Sequence, residues 1–314
     1  MKTGLGFAGV GWLGESLIKE LPSVPGLELA GVQDARLDVA QEIGGRYGSP
    51  WSGENFAELL QRPNVDVVVI CTPNALHVPQ ATAALRAGKH VLVQKPLALS
   101  YADAQATVDL ARDAGRMLFV DYSYRFLATI ESLRQALARN GRTSAVRAEF
   151  HNIYGPGAEK KWFFDRQVSG GGALLDLGVH LLDLALWLLQ PAAVTVDQVA
   201  LDGNGIEHCA QLRVQLDGTI PFDLAVSWNA QLPSTQISFE IDGEGGRVRW
   251  ENVAGSFFRF RTRHNETVSI ERETTLRADT LRALALALES GVAPQIDTRV
   301  YALLDQAYAR PAAG

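Results

Sequence analysis

The first 14 residues constrain the fold more than any other part of the chain. The apolar stretch 5–10 is typical of a buried β-strand, and from residue 13 onward apolar residues recur at helical spacing. In a strand-to-helix turn of this kind, the first glycine permits a tight turn, the second lets the backbone approach a pyrophosphate, and the third lets helix and strand pack closely. The helix N-terminus adds free N–H groups for phosphate oxygens. The sequence therefore predicts a dinucleotide-binding turn, rather than a merely glycine-rich one, at Gly9, Gly11, Trp12, Leu13 and Gly14.

The second predicted strand, residues 27–32, leads to Asp34, which follows Gly14 by 20 residues. A carboxylate at this distance is placed to hydrogen-bond the ribose hydroxyls of an adenosine. A 2′-phosphate against Asp34 would bring like charges within a few ångströms, at a cost on the order of 4 kcal/mol for an effective dielectric of about 20. Asp34 therefore favours NAD as the cofactor. Arg36 can offset the repulsion or stack on adenine, so NADP stays open.

Length and composition are those of an ordinary globular enzyme. The 314 residues suffice for about two domains, and a chain that is 47% hydrophobic and 20% charged is not disordered. A net charge of −6 without a basic stripe argues against a nucleic-acid partner. Two cysteines cannot build a disulfide framework or a structural zinc site, and no metal is predicted. We recognise no signal peptide and no membrane span of about 18 apolar residues, so a cytoplasmic location is expected.

The pattern of elements changes near residue 121. Before it, strands and helices alternate, and continuous apolar runs such as Val67–Ile70 are typical of strands buried on both faces. After it come two helices, a strand-rich tract with turns at Gly203, 217–218 and 242–246, and two closing helices. We predict an α/β protein with an N-terminal Rossmann domain (1–121), a doubly wound parallel sheet. A C-terminal α+β domain (122–314) follows, with an open, mostly antiparallel sheet. The C-terminal helix can pack back on the first domain, and the open sheet face can pair with another subunit.

Polar residues follow two further strands of the first domain, at the edge where doubly wound sheets bind ligands. The strand near residues 65–71 runs into Thr72, Pro73, Asn74 and His77, where the nicotinamide half of a cofactor would lie, although a plain helix-entry turn has the same composition. The strand near 90–93 runs into Gln94-Lys95-Pro96. Proline stiffens this turn, so Lys95 is either aimed at a substrate oxygen or simply solvated.

A second constellation begins at three consecutive glycines, Gly170 to Gly172. Asp176 and His180 follow four residues apart and share one face of a predicted helix that is otherwise apolar. A buried Asp/His pair needs partners. It can serve catalysis, form a self-satisfied pair, or supply two metal ligands, although no third and fourth ligand occurs at suitable spacing.

These motifs together resemble, in order and spacing, the Gfo/Idh/MocA family of nicotinamide-dependent oxidoreductases (glucose–fructose oxidoreductase, inositol 2-dehydrogenase, rhizopine catabolism). The resemblance runs from residue 2 to about 310. It implies that Lys95 is the catalytic lysine, that Asp176 orients lysine and substrate, that His180 is the general acid/base, and that the C-terminal sheet builds dimers or tetramers. One position departs from the family pattern Glu-Lys-Pro. Gln94 can still bind the nicotinamide ribose, but it removes a negative charge beside Lys95.

We therefore expect reversible oxidation of a secondary alcohol on a sugar, sugar derivative or cyclitol, with His180 taking the hydroxyl proton and Lys95 stabilising the alkoxide. Candidate substrate contacts are Tyr124, Arg125, Tyr154 and Trp162, because aromatic and guanidinium faces suit sugars, although each can equally be an ordinary packing residue. Two alternatives remain. One is a cofactor-binding sensor of the same fold without turnover. The other is a reductase of imines or carbon–carbon double bonds, in which His180 is less needed.

Overall fold

The computed structural model describes residues 2–157, 161–202 and 205–309, and the turn predicted at Gly203 lies outside them. The strands are β1 (Thr3–Ala8), β2 (Leu27–Gln33), β3 (Ser52–Gly53), β4 (Val67–Ile70), β5 (His90–Gln94), β6 (Leu118–Asp121), β7 (Thr143–His151), β8 (Val194–Leu201), β9 (Cys209–Leu216), β10 (Ile220–Ser227), β11 (Gln236–Gly243), β12 (Gly246–Asn252), β13 (Arg259–His264) and β14 (Thr267–Glu273). The helices are α1 (Trp12–Glu20), α2 (Leu37–Tyr47), α3 (Phe56–Gln61), α4 (His77–Arg86), α5 (Tyr101–Asp113), α6 (Ala128–Leu137), α7 (Arg166–Ser169), α8 (Val179–Leu189), α9 (Leu276–Ser290) and α10 (Arg299–Ala309).

The chain forms two compact units. The first comprises residues 1–123 and 277–296, and the second comprises residues 124–276 and 297–314. Most of α9 therefore returns to the first unit, while α10 stays with the second. A hydrogen bond of 2.7 Å from the Thr280 hydroxyl to a carboxylate oxygen of Asp121 ties α9 to the end of β6.

The first unit contains a six-stranded sheet in the order β3-β2-β1-β4-β5-β6, and every strand pair is parallel. Its central strands are fully buried, as the continuous apolar run Val67–Ile70 predicted. The strand order reverses between β1 and β4, which in doubly wound sheets is where ligands bind beyond the carboxyl ends of the strands. The predicted Rossmann architecture is confirmed.

The second unit contains an eight-stranded sheet in the order β14-β13-β12-β11-β7-β10-β9-β8. Only β7 and β10 pair in parallel, so the predicted mostly antiparallel sheet is confirmed as well. One face is covered by helices and carries buried side chains, such as Phe222 and Leu224 of β10. The other face carries ion pairs, such as Arg147 with Glu240 at 2.9 Å and Arg261 with Glu251 at 2.7 Å.

The helical stretch Arg166–Leu189 is long and apolar enough to cross a membrane by composition alone. However, 72% of its most apolar window is buried inside the protein, as is usual for the core helix of a folded domain. Within the described residues, no group of three or more His, Cys, Asp or Glu side chains is arranged to hold a metal ion.

Candidate active site

The glycine turn has the stereochemistry that its sequence predicts. Gly9 has a positive φ of 79°, and a Cβ there would lie 2.9 Å from the backbone of Cys71 and Thr72. A Cβ on Gly14 would lie 2.3 Å from the carbonyl oxygen of Gly9, whereas a Cβ on Gly11 would meet nothing within 4 Å. Among the residues that the structure describes, no side chain caps the N-terminus of α1. Open space above Gly11 and uncapped N–H groups are the features that a bound pyrophosphate requires.

Asp34 is held by backbone N–H groups through both carboxylate oxygens, one of them bonded to the glycine turn. Oδ2 accepts a hydrogen bond of 3.0 Å from the N–H of Val10, and Oδ1 accepts one of 3.1 Å from the N–H of Arg36. The carboxylate therefore has one orientation beside the glycine turn. Arg36 itself is exposed at the start of α2.

A second guanidinium, which the sequence analysis missed, lies near the same turn. Arg277 of α9 stacks over the ring of Trp12, with 5.5 Å between guanidinium carbon and ring centroid, and its Nε lies 3.3 Å from the hydroxyl of Ser16. Trp12 keeps 65% of its surface exposed. No local signal could have identified Arg277, because about 260 residues separate it from the turn.

The loop after β4 carries Thr72, Pro73 and Asn74, and His77 begins α4. His77 is 1% exposed, and its ring nitrogens lie 2.7 Å from the carbonyl oxygen of Pro96 and 2.8 Å from that of Thr72. Burial lowers the pKa of His77 below its ordinary value. Both ring nitrogens face backbone oxygens, and the neutral imidazole can donate its one N–H to either of them, so the side chain lies between the two loops.

At the end of β5, Gln94 is buried and Lys95 is half-buried. The Gln94 amide nitrogen donates to a carboxylate oxygen of Asp121 at 2.6 Å, and Asp121 also accepts from Thr280 at 2.7 Å. Asp121 is only 1% exposed. The structure therefore places the carboxylate of Asp121 beside Gln94, the position at which the family pattern has a glutamate. Sequence analysis did not find Asp121, since only the register of β5 with β6 brings the two residues together.

In the second unit, a buried carboxylate anchors the glycine-rich turn that precedes α8. Glu207, which is 2% exposed, accepts from the N–H groups of Gly172 and Leu174 at 2.9 and 3.0 Å and from the hydroxyl of Tyr308 at 2.8 Å. Burial and the charge of Glu207 raise the pKa of Tyr308 well above its ordinary value, so this hydroxyl keeps its proton and donates. A Cβ on Gly172 would lie 2.0 Å from the carbonyl oxygen of Glu207, which explains the glycine.

Asp176 and His180 follow this turn on the predicted helix. Residues Leu174–Gly178 form a widened helical turn of the π type that runs into α8, an irregularity that is frequent at functional sites. The indole N–H of Trp228 donates to Asp176 Oδ2 at 3.1 Å. The ring of Tyr124 lies 5.0 Å from that of His180. Both candidate catalytic side chains are thus supported by aromatic residues that are themselves buried.

The structure pairs Arg125, one of the candidate substrate contacts, with a buried carboxylate. Arg125 and Asp183 form an ion pair whose side chains are 5% and 1% exposed, with Nε 2.7 Å from Oδ2 and a second contact between Nη2 and Oδ1. The guanidinium also lies 5.6 Å from the centroid of the Trp187 ring. Although Arg125 opposes the effect, burial raises the pKa of Asp183 to about 6. Arg125 is thus committed to the core of the second unit.

The other three candidate substrate contacts differ in exposure. Tyr124 is 6% exposed and packs against Trp250 and Phe260 as well as His180. Tyr154 keeps 52% of its surface exposed. Trp162 is half-buried, with its ring 4.1 Å from that of Phe163. Tyr124 therefore supports His180, while Tyr154 and Trp162 present aromatic surface.

Two family models match this chain. A model of an oxidoreductase family with an NAD-binding Rossmann fold, Gfo/Idh/MocA, matches residues 3–122. The model of the Gfo/Idh/MocA C-terminal domain matches residues 130–249.

Individual relatives agree with these models. The chain is 36% identical over 202 residues to a 1,5-anhydro-D-fructose reductase of Ensifer adhaerens, and the match spans 62% of this chain and only 60% of that reductase. It is 37% identical over 261 residues to a 4-carboxy-2-hydroxymuconate-6-semialdehyde dehydrogenase of a Sphingobium species, over 82% of this chain and 75% of that protein. A solved 3-ketoreductase from Actinomadura kijaniata, in complex with NADP and TDP-benzene, has the same fold, with a TM-score of 0.82 at 22% identity over 98% of this chain and 95% of that one.

Proposed function

Because the chain belongs to the Gfo/Idh/MocA family of oxidoreductases, we propose that it moves a hydride between a secondary alcohol and a nicotinamide cofactor. The observation that carries the proposal is that one chain combines an open glycine turn with Lys95, Asp176 and His180 in the family's pattern. A protein that only binds a cofactor has no need for all three polar residues. The nicotinamide, when bound, supplies the site that accepts or donates the hydride.

The roles of the side chains follow from their chemistry. His180 takes the proton of the substrate hydroxyl as the carbon-bound hydrogen leaves as hydride, and returns it in the reverse direction. Lys95 stabilises the oxygen on which negative charge develops. Asp176 orients lysine and substrate, and the hydrogen bond from Trp228 limits its rotation. The glycine turn and Asp34 hold the pyrophosphate and the adenosine ribose.

We propose a sugar, a sugar derivative or a cyclitol as substrate. The aromatic surface of Tyr154 and Trp162 suits the apolar faces of sugar rings, and the reductase of Ensifer adhaerens is named for an anhydro sugar. NAD is the preferred cofactor in this proposal, because the fixed carboxylate of Asp34 opposes a 2′-phosphate. The exposed ion-paired face of the eight-stranded sheet is proposed to pair with another subunit, and a cytoplasmic location stays a prediction.

The sensor alternative loses the one sequence feature that favoured it. Replacement of the family's glutamate by Gln94 suggested a weakened catalytic lysine, but Asp121 supplies a carboxylate 2.6 Å from the Gln94 amide. No observation favours reduction of an imine or a carbon–carbon double bond over oxidation of an alcohol.

The test is a turnover assay with NAD and then NADP against sugars, sugar acids, amino sugars and inositols, following the appearance of reduced nicotinamide. We expect turnover with at least one member, lost in Lys95→Ala and retained in the control Lys19→Ala, whose side chain is exposed at the end of α1. Tight cofactor binding without turnover across the panel would instead support the sensor.

A further inference from the structure

Gln94 and Asp121 form a buried amide–carboxylate pair at the edge of the first sheet. They are the last residues of β5 and β6 and are paired in register. The Gln94 amide nitrogen lies 2.6 Å from Asp121 Oδ2, and the side chains are 5% and 1% exposed respectively. A carboxylate can only accept, so the amide has to turn its nitrogen to Asp121 and its oxygen Oε1 the other way.

The other oxygen of the Asp121 carboxylate also accepts a hydrogen bond. The Thr280 hydroxyl of α9 donates to Asp121 Oδ1 at 2.7 Å, and Thr280 is fully buried. Two donors on separate oxygens hold the carboxylate in one plane. The orientation of Gln94 is therefore set by a residue of β6 and a residue of α9.

The sequence motif and this geometry explain each other. The family pattern has glutamate where this chain has Gln94, and a glutamate there would face Asp121 at 2.6 Å with two acceptors and no donor. Glutamine restores the donor. The single negative charge of the motif is thereby moved from β5 to the neighbouring strand.

We propose that Asp121 is a positioning residue of the cofactor site, an assignment that rests on the proposed function. It supplies the negative charge that the motif otherwise places beside Lys95, and it aims Gln94 Oε1 as an acceptor for a hydroxyl of the nicotinamide ribose. A carboxylate near the nicotinamide end favours the oxidised cofactor, whose ring is cationic, over the reduced cofactor, whose ring is neutral.

Four proteins test the assignment: the wild type, Gln94→Glu, Asp121→Asn and the double variant with both changes. The readouts are the thermal midpoint and the dissociation constants of oxidised and reduced cofactor, measured by fluorescence. We expect Asp121→Asn to weaken the binding of oxidised cofactor more than that of reduced cofactor. The ratio of the two dissociation constants should change by about threefold or more. Gln94→Glu lowers the thermal midpoint, and the double variant, which swaps acid and amide, recovers both the midpoint and the ratio. Asp113→Asn, an exposed change of equal charge at the end of α5, leaves the ratio unchanged.

The assignment is overturned if Asp121→Asn alters both dissociation constants equally, since packing alone would do that. It is also overturned if the double variant is no better than Gln94→Glu. A wild type that binds neither cofactor would defeat the proposed function and the cofactor role together, whereas the thermal midpoints would still show whether the two side chains depend on each other.

Discussion

The carboxylate of Asp34 accepts the backbone N–H of Val10 at 3.0 Å, so the acidic residue after β2 is joined to the glycine turn after β1. A second hydrogen bond of 3.1 Å from the N–H of Arg36 holds its other oxygen. A side chain fixed in this way cannot swing aside to admit a phosphate. We therefore expect the fixed charge of Asp34 to oppose binding of a 2′-phosphate.

We expect the wild type to bind NAD more tightly than NADP by about tenfold or more, because a 2′-phosphate would meet the Asp34 carboxylate. Asp34→Asn should narrow that ratio by about tenfold, since the amide keeps an acceptor oxygen but carries no charge. Dissociation constants from nicotinamide fluorescence measure both. Asp38→Asn, exposed in the first turn of α2, is the matched control. Tighter binding of NADP by the wild type would contradict the argument.

His180→Ala should lower kcat by about a hundredfold or more, because a positioned base contributes about 10²–10⁴-fold. Cofactor dissociation constants should not change. The control is His264→Ala, because His264 has no proposed role in catalysis. It is the last residue of β13, and its ring contacts the carbonyl oxygen of Gly245. A small effect on kcat would remove His180 from the mechanism and favour reduction of an imine or a double bond.

Arg125→Met should destabilise the protein by about 3–5 kcal/mol, because it leaves the carboxyl of Asp183 buried without its cation. Arg125→Met combined with Asp183→Leu should recover most of that loss, since an apolar pair needs no desolvated charge. Urea unfolding of the two variants and the wild type measures the free energies. Equal stability of the single and double variants would show that the buried charge is not the cause.

The same variant should be sensitive to pH. Burial raises the pKa of Asp183 to about 6 even with Arg125 opposing it, so removal of Arg125 raises that pKa further. When a carboxyl has a higher pKa in the folded state than in the unfolded state, the protein loses stability as the pH rises from the unfolded-state pKa through the folded-state pKa. The loss of stability in Arg125→Met should therefore be smaller at about pH 5 than at about pH 8. A loss that does not change with pH would argue against the charge of Asp183 as its cause.

Glu207→Gln should lower stability by about 1–3 kcal/mol, because a neutral amide replaces the carboxylate that accepts from Gly172, Leu174 and Tyr308. The turn that leads to Asp176 and His180 should loosen, so kcat should fall while the cofactor dissociation constant stays the same. Glu266→Gln, at a side chain that is 96% exposed, is the control. Unchanged stability and kcat would mean that the three hydrogen bonds contribute nothing.

Much of the fold could be read from the sequence, since its signals are local. The glycine turn depends on φ and on close backbone approach at Gly9 and Gly14, and these requirements select glycine directly. The apolar run Val67–Ile70 and the hairpin turns at 217–218 and 242–246 likewise reveal strands through their own residues. The parallel and the mostly antiparallel sheet were predicted for this reason.

The sequence did not reveal partners that lie far apart in the chain. Arg125 was a candidate sugar contact because guanidinium faces suit sugars, and the sequence did not reveal that Asp183, 58 residues later, pairs with it. His77 looked like a cofactor contact because of its place in the motif, yet the carbonyl oxygens of Thr72 and Pro96 enclose its ring. Sequence position shows that a polar group is present but not which partner it meets.

The sequence by itself determined the type and order of the elements and the glycine turn, because backbone conformation and hydrophobic periodicity are local properties, while the resemblance of its motifs to the family pattern supplied the three candidate catalytic residues. Only the tertiary structure decided that Asp121 faces Gln94, that Glu207 anchors the turn at Gly172, and that Trp228 holds Asp176. Those pairs depend on strand register and on the packing of segments 27 to 52 residues apart. A hydrogen bond that acts over about 3 Å can be specified only after packing has brought its two ends together.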